Sequence, residues 1–300
     1  MAIPLKLQRQ LRRWAAALLA VAALCAADPA AALERGPLDA MSRPWSALGR
    51  VNAAGTSYCS GTLVGPALVL TAAHCVFDFR NHRWWPVNDI SFVAGYLRGK
   101  WVGTSRAKRV IRNESVLFVD RHPALTAVPG DWALIELEAP IGNVAGWLPL
   151  ARTPLPPPGT LTLQAGYRRD RPYAPELSPP CRILETSPSD LIFHDCVVPE
   201  GGSGSPLLVV DGGVLRVIGV HSAQVHRTRG DQVQVFSAVV PLAAFADAVP
   251  DAPPPDASAE AVRRALLTLV RDNSALSRLN IHQAMRRIYA MRDETATKSP

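Results

Sequence analysis

Residues 57–76 read S-Y-C-S-G-T-L-V-G-P-A-L-V-L-T-A-A-H-C-V, two short apolar runs followed by small residues, a histidine and a cysteine. The runs at 62–64 and 68–70 are bounded by Gly and Pro, which is typical of short β-strands joined by a turn. The second run leads through small residues to His74, and Cys75 comes next. The stretch therefore predicts a histidine at a strand end, beside a cysteine that can anchor it in a disulfide.

The same β-like texture extends over most of the chain. Between Trp45 and about Val249, short apolar runs are separated by Gly, Pro, Asn and Asp, and no long helix-period stretch interrupts them. Further runs lie at 90–93, 132–137, 161–163, 191–193, 207–210, 214–220 and 233–239. Short strands at regular spacing predict an all-β barrel or sandwich. The proline-rich stretch 154–158 is typical of a connector between two halves.

The N-terminal segment is predicted to be a targeting signal. Residues 1–32 combine a basic start, an apolar stretch at 14–27 and small residues at 30–32, the pattern of a secretory signal peptide. No other stretch of the sequence is long and apolar enough to span a membrane. We therefore expect a secreted or periplasmic protein, in which residues 33–44 form an N-terminal arm or the remnant of a propeptide.

The charge balance gives little support to nucleic-acid binding. The 300 residues carry a formal net charge of +7. Loss of residues 1–32 removes four basic residues and Asp28, and so lowers the net charge to +4. That mild excess contains no long Lys/Arg run, whereas nucleic-acid binding proteins concentrate basic residues on one face. No nucleic-acid partner is expected.

The C-terminal segment 250–300 has a different texture. Residues 253–255 are three prolines, which predict a stiff linker, and apolar residues then recur at helical spacing. These residues are Val262, Leu266, Leu269, Val270, Ile281, Met285 and Ile288. We predict a helical hairpin over 256–292 that packs on the chain's own barrel, with docking to a partner as the alternative.

Cysteine usage fits export. The sequence has five cysteines, and removal of Cys25 with the signal leaves an even number, which implies disulfides in an oxidising compartment. Of the three pairings that four cysteines allow, the simplest is local and joins Cys59 to Cys75 and Cys181 to Cys196. Each loop then closes over about 15 residues, worth roughly 3 kcal/mol in the chain-entropy model. A zinc site is the alternative, but the sequence has no C-x-x-C and adjacent His and Cys are not a usual chelating pair, so no metal is expected.

Two further motifs carry residues suited to nucleophilic catalysis. Residues 130–137 read G-D-W-A-L-I-E-L, which places Asp131 just before an apolar strand. Residues 198–206 read V-P-E-G-G-S-G-S-P, which places Ser203 among glycines. A serine hydroxyl is a weak nucleophile and needs an adjacent base. The chain order His74, Asp131, Ser203 differs from the orders in subtilisins and α/β-hydrolases.

On these three motifs the sequence resembles the trypsin/chymotrypsin superfamily of serine proteases, and within it the bacterial secreted V8-like glutamyl endopeptidases, over roughly residues 45–245. The resemblance implies a chymotrypsin-like fold of two six-stranded antiparallel β-barrels, at about 45–153 and 159–249, to which the helical tail is a C-terminal extension. It also implies a serine endopeptidase that acts on protein or peptide substrates and needs no cofactor.

The resemblance assigns roles to single residues. His74 would take the proton of the Ser203 hydroxyl, and Asp131 would hold the imidazole in the required tautomer. The backbone N–H groups of Gly201 and Ser203 would form the oxyanion hole. Gly202 stands where animal trypsins carry an aspartate that pairs with a new N-terminus, so that activation switch is not expected; bacterial V8-like relatives lack this aspartate too.

The resemblance also indicates the pocket for the residue before the cleaved bond. Val197, six residues before the nucleophile, occupies the position of the pocket floor, so a trypsin-like preference for Arg or Lys is not expected. His221 falls where glutamyl endopeptidases place a histidine against the acidic side chain, and Ser222 falls beside the bound substrate backbone. Val198 stands where those enzymes often have a hydroxyl residue. An acidic preference and a preference for apolar or small residues both stay open.

Two other functions fit parts of the pattern. One is a catalytically inactive protease homologue that acts as a secreted binding protein, against which the complete set of catalytic residues argues. The other is a different serine hydrolase, such as an esterase. The all-β texture and the absence of a G-x-S-x-G motif before a helix argue against an esterase.

Overall fold

The computed structural model describes residues 36–119, 122–123, 125–151, 155–186, 191–211, 214–229 and 232–249. The signal peptide predicted at 1–32 and the helical tail predicted at 256–292 lie outside these residues. Among the described residues, no helix is long and apolar enough to cross a membrane.

Strands make up most of the described structure, and its helices are short. The strands are β1 (Gly36–Pro37), β2 (Leu48–Ala53), β3 (Ser57–Gly65), β4 (Leu68–Thr71), β5 (Phe77–Asp78), β6 (Arg83–Trp84), β7 (Ile90–Ala94), β8 (Gly103–Arg112), β9 (Phe118–Val119), β10 (His122–Pro123), β11 (Ala133–Leu137), β12 (Leu161–Arg168), β13 (Arg171–Leu177), β14 (Cys181–Thr186), β15 (Ile192–His194), β16 (Pro206–Asp211), β17 (Val214–Arg229) and β18 (Gln232–Pro241). The helices are α1 (Gly142–Ala145) and the 3₁₀ helices Trp45–Ala47, Ala73–Val76, Val87–Asp89, Leu125–Gly130, Leu242–Ala244 and Ala246–Ala248.

The first barrel closes in the antiparallel strand order β11–β4–β3–β2–β7–β8. Side chains on successive strand residues point to opposite faces, and the inward set fills the barrel. The fully buried core includes Val51, Leu63, Val69, Phe92 and Leu134. Strand β4 is buried along its whole length. It therefore provides a rigid base for the histidine that follows it.

The second barrel consists of β12, β14, β15, β18, β17 and β16, and it closes because β12 pairs with β16 as well as with β14. Leu163 of β12 lies opposite Leu208 of β16 in this closing pair. Ile192, Leu207 and Val239 are fully buried inside it. Strands β13 and β1 extend the same sheet beside β12. Two closed six-stranded antiparallel barrels confirm the predicted chymotrypsin-like, all-β fold.

The described part of the predicted N-terminal arm packs against the barrels. Strand β1 pairs with β13, and the N–H of Leu38 donates to the carbonyl of Pro175 at 3.1 Å. Leu38 and Ala40 are buried. This part of the arm is therefore integral to the fold, because its removal would expose apolar surface.

Two disulfides have the local pairing expected from the sequence. Cys59 is joined to Cys75 with a Cα–Cα distance of 5.8 Å, and Cys181 is joined to Cys196 with a Cα–Cα distance of 5.1 Å. The first links β3 to the 3₁₀ helix Ala73–Val76, and the second links β14 to the segment after β15. Each bridge thus anchors a segment that carries predicted site residues.

Candidate active site

His74 and Asp131 meet because the strands next to them are neighbours in the first barrel. Thr71, at the end of β4, lies opposite Ala133, at the start of β11. The Nδ1 of His74 and the Oδ2 of Asp131 are 2.8 Å apart, and the backbone N–H of His74 donates to Oδ1 of the same carboxylate at 2.9 Å. One carboxylate therefore fixes both the imidazole ring and the backbone of His74.

The carboxylate of Asp131 is completely buried and receives a third donor. The hydroxyl of Ser222, on β17 of the second barrel, donates to Oδ2 at 2.5 Å. Burial by itself favours the neutral acid, but the nearby imidazole of His74 and the three hydrogen bonds outweigh it and lower the pKa of Asp131. Asp131 is thus a carboxylate, which can only accept, so Nδ1 of His74 carries a proton and Nε2 is left as the basic nitrogen.

Ser203 lies on the loop 200–204, against the strands of the first barrel. Its carbonyl accepts a hydrogen bond from the N–H of Ser60, on β3, at 2.9 Å. The next residue, Gly204, has a φ of +77°, and a Cβ there would collide with the hydroxyl of Thr71. Only glycine allows this approach. The loop therefore rests on the end of β4, from which the chain continues to His74.

The backbone of this loop directs two N–H groups away from the scaffold. Gly201 has a φ of +90°, and a Cβ there would lie 2.5 Å from the backbone nitrogen of Arg169. The carbonyl of Glu200 accepts from that same Arg169 N–H at 2.7 Å. In a trans peptide the N–H points opposite to the C=O, so the N–H of Gly201 is turned to the other side. Within the described residues, neither Gly201 nor Ser203 donates its N–H to a backbone carbonyl.

Gly202 has no room for the aspartate found in animal trypsins. A Cβ at this position would collide with the side chain of Val198, which is buried. Residues 201–205 carry no charged side chain. Hydrogen bonds to the backbone hold the loop in place.

The predicted pocket residues differ in their placement. The side chain of Val197 is 58% exposed, whereas those of Val198, His221 and Ser222 are buried. The role of Val197 in the pocket stays a prediction. The Nε2 of Gln224, on β17, donates to the carbonyl of Val198 at 2.5 Å. Gln224 thus connects β17 to the segment before the loop.

A second buried imidazole lies behind His221. The rings of His194 and His221 have centroids 6.4 Å apart, and Nδ1 of His194 accepts from the N–H of Cys196 at 3.2 Å. Burial lowers the pKa of His194 to about 3, and burial together with His194 and His74 lowers the pKa of His221 well below its ordinary value. Both imidazoles are therefore neutral at pH 7. Within the described residues, Nε2 of His194 and Nδ1 of His221 have no hydrogen-bond partner.

Sequence reasoning missed several residues of this region. The contact between the hydroxyl of Ser222 and Asp131 was not predicted, and the position of Ser222 beside the substrate backbone stays a prediction. The contacts of Ser60 and Gln224 with the loop and its flanking segment were not predicted. Nothing in their local sequence marks them, since their contacts come from strands distant along the chain.

Comparisons with known proteins support the fold described above. Residues 36–179 match the family model described as Trypsin. A search of curated proteins gives no match. A solved structure of a Glu endopeptidase in complex with MPD is similar, with a TM-score of 0.56 and 21% identity, over 71% of this chain and 93% of that chain. The family match over residues 36–179 and the fold of that structure both support a trypsin-like serine protease, whose class is that of the serine endopeptidases. The substrates of that class are proteins and peptides.

Proposed function

We propose that this chain is an exported serine endopeptidase in which Ser203 is the nucleophile, His74 the general base and Asp131 the group that orients it. The observation that carries the proposal is the buried carboxylate of Asp131, which accepts from both Nδ1 and the backbone N–H of His74 at 2.8 and 2.9 Å. A carboxylate in this position leaves Nε2 of His74 free to accept a proton.

The reaction then follows from the orientation of these groups. The hydroxyl of Ser203 attacks the scissile carbonyl carbon while His74 removes its proton and later gives it to the leaving amine. Negative charge that develops on the carbonyl oxygen is stabilised by the N–H groups of Gly201 and Ser203. A water molecule then attacks the acyl-enzyme in the same way, and Ser203 regains its proton as the acyl group leaves.

Export is part of the same proposal. Two disulfides in the described residues favour an oxidising compartment. The signal-peptide pattern of residues 1–32 supports it independently.

Titration with a fluorophosphonate separates the proposed enzyme from an inactive homologue. We expect the purified mature protein to bind one equivalent covalently, because only a serine activated by an adjacent base reacts readily with this reagent. Mass spectrometry of the digested adduct should locate it on Ser203. A preparation that is folded by circular dichroism but unreactive would instead support a binding protein.

The pocket is expected to discriminate against Lys and Arg. Val197, Val198, His221 and Ser222 carry no carboxylate, and burying a cationic side chain without a counter-charge is costly. In fluorogenic peptides that differ only in the residue before the cleaved bond, Lys and Arg should be cleaved at least about tenfold more slowly than the best residue, a difference of about 1.4 kcal/mol.

The same peptides decide between the two preferences left open by the sequence. Fastest cleavage after Glu, lost selectively in His221→Ala, would assign His221 to carboxylate recognition by a neutral imidazole donor. Fastest cleavage after Leu or Ala, unchanged in His221→Ala, would assign an apolar pocket lined by Val198. Fastest cleavage after Arg would contradict the whole pocket assignment.

A further inference from the structure

Four successive carbonyl groups of the loop 200–204 are bound to the scaffold. The carbonyl of Glu200 accepts from the N–H of Arg169 at 2.7 Å, that of Gly201 from the hydroxyl of Ser60 at 3.2 Å, that of Gly202 from the N–H of Ser205 at 3.0 Å, and that of Ser203 from the N–H of Ser60 at 2.9 Å. The carbonyl of Gly202 matters most, because it belongs to the same peptide unit as the N–H of Ser203.

The orientation of the 202–203 peptide sets one of the two proposed oxyanion donors. In a planar trans peptide the C=O and N–H point in opposite directions. A carbonyl of Gly202 that is held toward the barrel therefore turns the N–H of Ser203 toward the substrate. Rotation of this peptide would remove the donor and place a carbonyl oxygen where negative charge develops.

A buried side-chain pair reinforces this orientation. The hydroxyl of Ser205 donates to the carbonyl of Gly202, in addition to the bond from the Ser205 N–H. The same hydroxyl oxygen accepts from the side-chain amide of Gln164, on β12. Ser205 is 0% and Gln164 is 2% exposed, so water does not compete for these bonds.

The direction of the chain of hydrogen bonds is fixed by its chemistry. The amide nitrogen of Gln164 can only donate, so it occupies a lone pair of the Ser205 oxygen and directs the hydroxyl proton to Gly202. A hydroxyl that accepts one hydrogen bond also donates a stronger one. Gln164 is itself held, because its backbone N–H donates to the hydroxyl of Ser178 at 3.2 Å.

We propose that Gln164 and Ser205 are positioning residues that hold the 202–203 peptide with the N–H of Ser203 in the oxyanion hole. The proposal rests on the proposed function, since it concerns the donor used in that reaction. Neither side chain contacts substrate, and both act through the backbone of Gly202.

Replacement of Ser205 by alanine tests this role. The N–H of residue 205 remains, so the donor is weakened and not lost. We expect kcat to fall about tenfold or more, short of the 100- to 1,000-fold that removal of an oxyanion donor costs, with KM within about twofold of wild type. The inhibition constant of a peptide aldehyde, whose adduct with Ser203 carries its oxygen in the hole, should rise by a factor similar to the fall in kcat/KM.

Ser46→Ala is the matched control. Ser46 is also a buried serine, and its hydroxyl, in the 3₁₀ helix Trp45–Ala47, donates to the carbonyl of Ala145 in α1 at 2.6 Å. This variant should lose thermal stability without a change in kcat or in aldehyde affinity. If Ser205→Ala behaves in the same way, the inference is wrong.

Gln164→Met gives a second variant of similar volume that keeps the Ser205 hydroxyl but removes the donor that orients it. For this variant, a fall in kcat that is smaller than that of Ser205→Ala, with KM unchanged, supports the proposal. A kcat equal to that of the wild type contradicts it, and this test still applies if Ser205→Ala does not fold.

Fluorophosphonate titration of the wild type separates failure of the proposed function from failure of this inference. An unreactive wild type would overturn the proposed function, whereas a reactive wild type with unaffected variants would overturn this inference alone.

Discussion

Replacement of Ser203 by alanine is expected to lower kcat for peptide hydrolysis by about a million-fold, the effect of removing the nucleophile of a serine protease. The oxyanion donors are backbone groups and stay in place, so a small residual rate above that of water should persist. Peptide binding should be retained, with a dissociation constant near the KM of the wild type, because the methyl group adds no bulk to the site. The measurement is single-turnover hydrolysis of a fluorogenic peptide, with binding followed separately by fluorescence anisotropy.

The control for this variant is its stability. Ser203 is only half-buried, and its backbone contacts with Ser60 do not involve its hydroxyl. The midpoint of thermal unfolding should therefore stay within a few degrees of wild type. Activity close to wild type, in a preparation free of contaminating protease, would show that Ser203 is not the nucleophile.

The three motifs were readable from the sequence because each stands beside an apolar run with its own turn signal. His74 follows a buried strand, Asp131 precedes one, and Ser203 lies in a glycine loop before another. The pairing of β4 with β11 then brings the first two together. Local pattern together with the family resemblance was therefore sufficient to propose the residues, and strand register brings His74 and Asp131 to hydrogen-bonding distance.

Strand β8 was not predicted because its inward-facing side chains are small. Residues 103–112 read G-T-S-R-A-K-R-V-I-R, and the inward side chains of Ser105 and Ala107 alternate with exposed basic residues. Such a stretch has no apolar run. It forms a strand because β7 and β11 offer it hydrogen-bonding edges on both sides.

The proximity of His194 and His221 could not be derived from local pattern either. His194 pairs with Ser237 and His221 pairs with Val239, so both histidines flank the same strand, β18, two residues apart. In the sequence they are separated by a loop, by strand β16 and by the first part of β17. The same holds for Gln164 and Ser205, which meet because β12 pairs with β16 to close the second barrel.

The second large effect is expected for Asp131→Asn, which should lower kcat about 10,000-fold while leaving the fold intact. An asparagine side chain has one acceptor oxygen and one NH₂ donor. It cannot accept from the backbone N–H of His74, from its Nδ1–H and from the Ser222 hydroxyl as the carboxylate does. If the NH₂ group faces Nδ1, the imidazole must carry its proton on Nε2, and it can no longer take the proton of Ser203.

Asp78→Asn is the matched control for this substitution. Asp78, on β5, is also a buried aspartate; it accepts from the N–H of Arg80 at 3.0 Å and from the side chain of Asn81 at 2.6 Å. Its replacement should reduce stability and leave kcat within about threefold of wild type. A kcat of Asp131→Asn within tenfold of wild type would contradict the role assigned to Asp131.

The pH dependence of stability gives a second measurement on the same variant. Because the pKa of Asp131 is lowered in the folded protein, its carboxylate stabilises the fold above the ordinary aspartate pKa of about 4, and this contribution is lost as the pH falls through the lower folded value. The asparagine side chain of the variant cannot ionise, so the variant lacks this contribution at every pH. The difference in unfolding free energy between wild type and Asp131→Asn should therefore be larger at pH 7 than in acid. Denaturant titrations at pH 7 and at successively lower pH measure this difference in unfolding free energy. A difference that grew in acid would mean that burial controls the ionisation of Asp131, and not the three hydrogen-bond donors and the charge of His74.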